Sequence, residues 1–313
     1  MISSVEYRIK RASKVLRATL ALRTVFPNLV QALLAYVSRQ KWIRLTTADG
    51  RGIIASRSMF LQLVSLSYFH SLIPIGLDGS GRILYNDGLT LEPLSKDAYW
   101  DILRSKGWSR AEGKLQKGDL VLGADSDLSS IFEIFEQGVY DIEVSGRQVI
   151  DIGSGFGDSA IYFALRGAAK VIAFEPIAER CQAAIRNIAL NPTLANRIEI
   201  RQQAVISSSK ATKVEGATDP SLERCPSCVT LAEIIPDIKD PFLLKIDCEG
   251  CEYDLIESDT GLIRQFQNVI FEFHPNMTFK PPAPLFELLG AYFDCAITHG
   301  DTMLGVMRCI RRP

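Results

Sequence analysis

The stretch from residue 148 to residue 176 constrains the fold more than any other part of the chain. It begins with a short apolar run, Val149–Ile150, which is typical of a buried parallel strand and is followed by Asp151. Three glycines then occur at alternate positions, before a helical pattern and a second apolar run that ends at Glu175 and Pro176. This order of strand, glycine loop, helix, strand and acid predicts the first unit of a doubly wound, Rossmann-like α/β sheet.

The glycine loop and Glu175 predict a ligand that contains a ribose. Glycines after the first strand let a ligand lie against bare backbone, and an acid at the tip of the second strand can accept hydrogen bonds from two ribose hydroxyls. The dinucleotide fingerprint G-x-G-x-x-G does not fit, because the third glycine comes one position early and Asp158 stands in its place. An acid there would repel a pyrophosphate, whereas S-adenosylmethionine (SAM) has no phosphate and carries a cationic sulfur.

We therefore predict a SAM site rather than a dinucleotide site. A glycine-rich loop in a domain that binds nothing is disfavoured by Glu175 at the matching strand tip. The third strand is predicted to end at Gln203, whose amide could read the adenine amino group or could equally be an ordinary surface glutamine. The predicted cofactor-binding residues are Asp151, Gly153, Ser154, Gly155, Phe156, Gly157, Asp158, Glu175, Pro176, Gln203 and Ala204.

The 313 residues are enough for one large domain or two smaller ones. Residues 131–313 carry the pattern of the α/β domain, and residues 1–130 are interpreted as an accessory α+β region. No apolar run reaches about 18 residues, and charges interrupt the apolar residues at the N-terminus, so neither a transmembrane helix nor a signal peptide is expected. The expected location is cytoplasmic, with a membrane-peripheral position as the alternative.

Charge is distributed unevenly along the chain. Residues 1–57 contain eleven Lys or Arg and two acids, a net charge of +9 in a chain whose total is −1, so the remainder carries −10. The stretch 5–37 is predicted to be one helix broken near Pro27, or two helices. Two interpretations are open, namely a solvated helical region packed on the domain, or contact with an anionic membrane surface or a polyanionic substrate.

Four of the seven cysteines form two C-x-x-C pairs. Cys225 and Cys228 make the first pair, Cys248 and Cys251 make the second, and nineteen residues separate the pairs. This separation falls in the range of zinc sites. Free thiols are the expected state, with a zinc site or a disulfide between the pairs as alternatives.

Four motifs occur in order in the C-terminal part of the chain: IDIGSGFGDSAIYFA, IAFEP, LLKIDCEGCEYDLI and IFEFHPN. Over about residues 132–300 the sequence resembles the FkbM-type methyltransferase family. The resemblance implies a class I SAM-dependent fold, with a seven-stranded sheet of order 3-2-1-4-5-7-6 whose last strand is antiparallel. It also implies methyl transfer to a hydroxyl oxygen of a sugar, a glycan or another small natural product. The loop departs from the family in reading GSGFG, where an alanine and an asparagine are frequent.

The candidate catalytic residues follow the fourth and fifth predicted strands. Methylation of an alcohol needs a base that removes the hydroxyl proton, and Asp247 or His274 is expected to serve, with Glu249 and Glu272 close by. Histidine suits neutral pH without tuning, whereas a carboxylate would need its pKa raised by burial. His274 could instead be a strand-end residue bonded to backbone, and Glu249 with Glu252 could be an acidic helix start. The spacing permits a metal without demanding one.

Two other functions stay open. An RNA methyltransferase could grip phosphates with the basic N-terminal segment, but residues 1–57 contain no recognised RNA-binding motif, so nucleic acid is not the expected partner. A SAM-binding protein without catalytic activity is the other alternative, although every cofactor motif is present. A small-molecule or glycan acceptor is the partner that the sequence favours.

Overall fold

The structure is a computed structural model, and it describes residues 16–70, 72–92, 97–210, 227–278, 280–301 and 304–313. Its contacts divide the chain into two compact units, Ser3–Gly107 and a unit that comprises Trp108–Pro313. The sequence predicts a domain boundary after residue 130, whereas the contacts of the structure group residues 108–130 with the C-terminal unit.

The N-terminal unit combines helices with two small antiparallel sheets. Its elements are α1 (Leu29–Val37), β1 (Trp42–Thr46), β2 (Gly52–Ser56), α2 (Arg57–Phe69), β3 (Pro74–Leu77), β4 (Ile83–Tyr85), β5 (Thr90–Leu91) and α3 (Ala98–Ser105). Strands β1 and β2 pair with each other, and β3, β4 and β5 form the second sheet. Residues 16–21 are helical and the chain turns at Pro27, which confirms the predicted break, while residues 5–15 of the predicted helix lie outside the described residues. None of the helices in the described ranges is long and apolar enough to cross a membrane.

The C-terminal unit begins with a small sheet and continues into a large one. Its elements are β6 (Ser109–Ala111), β7 (Lys114–Lys117), β8 (Leu120–Gly123), α4 (Leu128–Ile131), a π-helical turn (Phe132–Glu136), β9 (Gln148–Ile152), α5 (Asp158–Leu165), β10 (Lys170–Phe174), α6 (Ala178–Ala189), α7 (Pro192–Ala195), β11 (Ile198–Arg201), β12 (Ala204–Ile206), β13 (Cys228–Thr230), α8 (Leu231–Ile234), a 3-10 turn (Ile235–Asp237), β14 (Leu243–Ile246), α9 (Cys251–Ile263), β15 (Asn268–Phe273), α10 (Pro275–Thr278), α11 (Ala283–Gly290), β16 (Phe293–Asp301) and β17 (Leu304–Arg311).

Among the described residues, seven strands form one sheet in the order β11-β10-β9-β14-β15-β17-β16. Strands β9, β10, β11, β14 and β15 are parallel, and β17 runs antiparallel to both of its neighbours. Counted along the chain, this is the order 3-2-1-4-5-7-6, so the predicted α/β class I methyltransferase topology is confirmed. The strand order reverses between β9 and β14, and ligands of such sheets bind beyond the carboxyl ends of the strands at that point.

The apolar core is divided between the two faces of this sheet. Val149 and Val171 pack with Phe163 of α5 on one face, whereas Ile150 and Ile172 belong to the cluster that contains α9 on the other. Burial on both faces explains why the strands read as continuous apolar runs. Each fully buried side chain of this size contributes about 1.5–3 kcal/mol to folding.

Two asparagines of the α6–α7 region explain why residues 108–130 group with the large sheet. Asn191 bonds both backbone groups of Val121, donating to its carbonyl at 2.7 Å and accepting from its amide at 3.1 Å. Asn187 accepts from the amide of Gly123 at 2.7 Å and donates to the carbonyl of Phe156 at 2.9 Å. The bonds to Val121 and Gly123 satisfy backbone groups of β8, and the bond to Phe156 also holds the glycine loop.

Candidate active site

A cavity of about 370 Å³ lies at the carboxyl ends of β9, β10 and β14. The fold brings together there three groups of predicted cofactor residues that are far apart in sequence. Those that line the cavity are Gly153, Ser154, Gly155, Phe156, Asp158, Glu175, Pro176, Gln203 and Ala204. Asp151 and Gly157 support the loop from outside the cavity wall, and Asp151 is fully buried, accepting a hydrogen bond from Ser159 at 2.6 Å.

Gly153 is required where the glycine loop crosses the end of β14. Its φ of 78° is left-handed, and a Cβ at this position would lie 1.8 Å from the carbonyl oxygen of Asp247. A side chain at residue 153 would therefore push the first and fourth strands apart at the reversal point. The close approach places Asp247 beside the cofactor loop.

Glu175 is buried at the end of β10, and both of its carboxylate oxygens bond backbone groups. Oε2 accepts from the amide of Gly155 at 3.0 Å, and Oε1 accepts from the amide of Ile177 at 2.8 Å. Burial raises the pKa of Glu175, although the Ile177 N–H and the charge of Arg180 act in the opposite direction. Because each oxygen keeps a second lone pair, Glu175 can hold the glycine loop and still accept bonds from ribose hydroxyls.

Among the described residues, two buried polar atoms of the cavity wall lack a hydrogen-bond partner, namely Oδ1 of Asp158 and Oγ of Ser154. Burial raises the pKa of Asp158 to about 7, with a further upward contribution from the charge of Asp127 and a downward one from Lys245. Buried polar atoms are normally bonded, so these two atoms point to a ligand that supplies donors. A cationic ligand such as SAM, which carries an ammonium group and a sulfonium, fits them.

Lys245 is a central residue of the site that the sequence analysis missed. It is buried in β14, donates to the carbonyl of Gly153 at 2.7 Å, and lies 3.0 Å from Oδ1 of Asp151 and 3.7 Å from Oδ2 of Asp247. Burial lowers its pKa, but the charges of Asp151 and Asp247 outweigh this effect and raise it overall. The available signal was a lysine inside the apolar strand LLKI, because lysine is almost never fully buried without partners.

A cluster of acids surrounds His274 at the ends of β14 and β15. Its Nε2 atom lies 3.6 Å from a carboxylate oxygen of Glu249, 3.6 Å from one of Glu272 and 3.9 Å from Oδ1 of Asp247. Ligand atoms of Asp247, Glu272 and His274 all lie within 4.8 Å of one another, so these three residues could hold a metal ion. The predicted catalytic residues are therefore brought together as one group.

The orientation and protonation of His274 are set by buried carboxylates. Glu252 is fully buried and accepts from the backbone amide of His274 at 2.8 Å, while its Oε1 atom lies 3.2 Å from Nδ1. Burial alone would lower the pKa of His274, but contacts with Glu252 and Glu272 and the charge of Asp247 raise it to about 11. Glu252 lies in the first turn of α9, as the alternative of an acidic helix start expected, and it also positions His274, which is a cation at neutral pH.

Of the two candidate bases, Asp247 lines the cavity; Glu249 lines it as well. The Oδ2 atom of Asp247 accepts a hydrogen bond from the hydroxyl of Tyr140 at 2.7 Å, a partner 107 residues earlier in the chain. Burial and the charge of Asp247 raise the pKa of Tyr140 well above its usual value, so this hydroxyl stays protonated. Glu272 has a raised pKa as well, first because of burial and then because of the charge of Asp247.

The two cysteines of the second pair are not the free thiols that the sequence predicted. Cys248 is bridged to Cys251 within the second pair, with Cα atoms 5.4 Å apart, so neither free thiols nor a bridge between the pairs describes them. Cys228 is exposed on β13, and Cys225 lies outside the described residues. A further disulfide that the sequence did not predict joins Cys295 to Cys309, which are direct partners in the register of β16 and β17.

Residues 151–296 match the methyltransferase FkbM domain, so this part of the chain is a methyltransferase domain of that family. The matched range begins at the acid of the first strand tip and ends in β16. It contains every predicted cofactor-binding and catalytic residue. No curated protein matches the chain.

Solved structures with a similar fold include three methyltransferases. The O-methyltransferase from Bacillus cereus in complex with SAH is 15% identical, covers 60% of this chain and 83% of its own, and has a TM-score of 0.39. A putative O-methyltransferase from Klebsiella pneumoniae is 14% identical over 61% and 84% of the two chains, with a TM-score of 0.37. The ribosomal protein L11 methylase from Lactobacillus delbrueckii subsp. bulgaricus is 19% identical over 61% and 82%, with a TM-score of 0.37.

Proposed function

Since residues 151–296 form a methyltransferase FkbM domain, we propose that this chain is a SAM-dependent O-methyltransferase that acts on a hydroxyl of a sugar, a glycan or another small natural product. The observation that carries the proposal is the position of Asp247. It follows the strand that borders the glycine loop and lies in the wall of the cavity that contains Glu175. A cofactor seated against the loop and an acceptor hydroxyl beside Asp247 would therefore meet in one cavity.

The cofactor half of the cavity suits SAM. Glu175, Gln203 and Ala204 line the same cavity; Glu175 would accept bonds from the ribose hydroxyls, and Gln203 and Ala204 would contact the adenine. The unpartnered Oδ1 of Asp158 and Oγ of Ser154 would bond the ammonium group of the methionine part. When bound, SAM supplies an electrophilic methyl group on a cationic sulfur.

The catalytic step assigned to this chain is the removal of the hydroxyl proton of the acceptor. Asp247 is the better acceptor of that proton, because His274 already carries a proton at neutral pH. The Tyr140 hydroxyl donates a hydrogen bond to Oδ2 of Asp247, whereas Oδ1 of Asp247 faces His274. In this arrangement the positive charge of His274 offsets the negative charge of the surrounding carboxylates and positions them. Glu249 and Glu272 are the other two acids that lie beside it.

The test is transfer of the labelled methyl group from SAM to a cell extract that is then separated into glycan, small-molecule, lipid, protein and RNA fractions. We expect label in the glycan or small-molecule fraction, as an ether that survives mild alkali. Asp247→Asn should reduce the rate by roughly 10²–10⁴-fold while SAM binding persists, since a general base contributes about that much. Label confined to RNA or to alkali-labile esters would overturn the proposed acceptor chemistry, and normal turnover by Asp247→Asn would overturn the assigned base.

A further inference from the structure

The N-terminal unit has an unusual concentration of exposed apolar side chains around one uncharged helix. Helix α1 has the sequence LVQALLAYV, with Gln31 as its single non-apolar position other than the tyrosine. One face packs on the unit through Leu29 and Ala32, which are buried. The other face is apolar as well: Val30 is 58% exposed, Leu34 is 66% exposed and Val37 is 75% exposed.

These three residues recur at a spacing of four and three, so they form one stripe along the helix. A surface helix of a globular protein normally turns charged or polar residues toward water on this side. An apolar stripe on the outer face, with no charge anywhere in the helix, is instead the pattern of a surface that is covered by something apolar.

The hairpin that follows α1 also has large apolar side chains exposed on its outer face. Trp42 is 54% exposed and Ile54 is 67% exposed, on the outer face of β1 and β2, where Ile54 is the direct register partner of Arg44. Asn28 ties the helix to this hairpin, donating to the carbonyl of Arg44 at 3.0 Å and accepting from the amide of Thr46 at 2.7 Å. These two bonds hold the start of the helix against the hairpin.

Cations lie among these apolar residues. Between residues 16 and 57 the chain has seven Lys or Arg and one acid. Arg57 stacks on Tyr36, 4.2 Å from its ring centroid, and Arg51 pairs with Asp49, so these two are used within the unit. Arg39, Lys41 and Arg44 are exposed and take part in none of the ion pairs found among the described residues, and the ammonium group of Lys41 lies 5.7 Å from the ring centroid of its neighbour Trp42.

We propose that this surface docks on an anionic lipid bilayer. It consists of Val30, Leu34, Val37, Trp42 and Ile54 together with Arg39, Lys41 and Arg44, and it is called the apolar–basic surface below. Apolar side chains would enter the boundary between headgroups and acyl chains, tryptophan is enriched at that depth, and the three cations would lie against anionic headgroups.

The composition of the surface favours a bilayer over other occupants. A second copy of this chain that used the same surface would put two sets of Arg39, Lys41 and Arg44 into one interface with no acid of this surface to pair them, and like charges at an interface oppose association. A nucleic acid would engage the cations but would leave the apolar stripe of α1 in water. An anionic bilayer accommodates both parts of the surface at once.

The proposal is tested by flotation of the 313-residue chain with vesicles of phosphatidylcholine alone and of phosphatidylcholine mixed with phosphatidylserine. We expect binding to the anionic vesicles, weakened by salt. The double substitution Leu34→Ser with Val37→Ser should lower the partition coefficient by at least about tenfold, because each removes an aliphatic side chain that the bilayer would bury. Arg39→Gln with Lys41→Gln should lower it by roughly fivefold per residue on anionic vesicles and little on neutral ones.

Matched controls come from exposed residues of the C-terminal unit. Leu288→Ser and Lys239→Gln make the same chemical changes on that unit and should leave vesicle binding unchanged. Circular dichroism and SAM binding verify that the test variants are folded. Absence of binding to anionic vesicles, or equal binding by the test variants and the wild type, would overturn the proposal. A dimer in solution that the Leu34→Ser, Val37→Ser variant dissociates would assign the surface to a second copy instead.

Discussion

The ammonium group of Lys245 lies 3.0 Å from Oδ1 of Asp151, and both side chains are almost completely buried. The pair joins β14 to β9, the two strands between which the sheet order reverses. Lys245 also donates to the carbonyl of Gly153, so one cation holds the acid of the first strand and the start of the glycine loop together. The geometry of the cofactor loop thus depends on an ion pair inside the sheet.

Lys245→Met should therefore destabilise the protein strongly. Methionine fills a similar volume, but Asp151 would keep a buried charge without a counter-ion, and breaking a buried pair in this way costs about 3–5 kcal/mol. Denaturant unfolding of the purified variant measures the loss. Lys170→Met is the matched control, because Lys170 makes an exposed pair with Glu199 on the neighbouring strands, and such pairs contribute about 0–1 kcal/mol. Equal losses for the two variants would mean that the buried pair has no special role.

Glu175→Ala should weaken SAM binding by about 2–4 kcal/mol, since two ribose hydroxyls and the amides of Gly155 and Ile177 would lose their acceptor. Isothermal titration calorimetry gives the affinity, and circular dichroism shows whether the variant is folded. Glu179→Ala removes an exposed carboxylate in the first turn of the next helix, α6, and serves as the control. Wild-type affinity in a folded Glu175→Ala variant would rule out Glu175 as the ribose ligand.

Asp158 predicts a pH dependence of cofactor binding. Burial raises the pKa of Asp158 to about 7, and a cationic ligand binds the ionised form better, so affinity for SAM should rise between about pH 5.5 and 7.5 and then level off. Asp158→Asn should flatten this rise. Calorimetry across the pH range checks both expectations, and parallel pH profiles for the two proteins would contradict them.

Asp158→Asn, which should weaken SAM binding at high pH, should at the same time stabilise the fold there. Because the folded pKa of Asp158 is above its unfolded value of 3.8, the stability present at low pH is lost as pH rises through about 7. At pH 8 the buried carboxylate is ionised and its Oδ1 has no bonded partner in the part of the chain that the structure describes, so Asp158→Asn should have the higher free energy of unfolding. Urea titrations at pH 5 and pH 8 compare the two proteins, and the advantage of the variant should appear at pH 8.

His274 predicts a pH dependence that extends into the alkaline range. Its folded pKa of about 11 is above the ordinary value of 6.5, so its imidazolium contributes stability that is complete below pH 6.5 and is lost as pH rises toward 11. The stability difference between the wild type and His274→Gln should therefore shrink across that interval. Unfolding measurements at several pH values determine the difference, and a constant gap would show that His274 is not held as a cation.

The sequence determined the parts of this protein that depend on local pattern. The glycine spacing, the acid at residue 175 and the short apolar runs identified the first βαβ unit, because backbone conformation and strand burial leave a periodic signal in neighbouring residues. The resemblance carried by four ordered motifs gave the strand order, including the antiparallel β17. The candidate residues Asp247, Glu272 and His274 were found because parallel strands end at one edge of the sheet.

The tertiary structure decided what these residues can do. Tyr140 and Asp247 are 107 residues apart, and Cys295 meets Cys309 through strand register, so neither contact leaves a local signal. Protonation was equally inaccessible: His274 was expected to titrate near neutral pH, but the carboxylates that fold around it hold it as a cation. A pKa depends on burial and on charges brought close by the fold, and these are properties of the folded arrangement rather than of residue order.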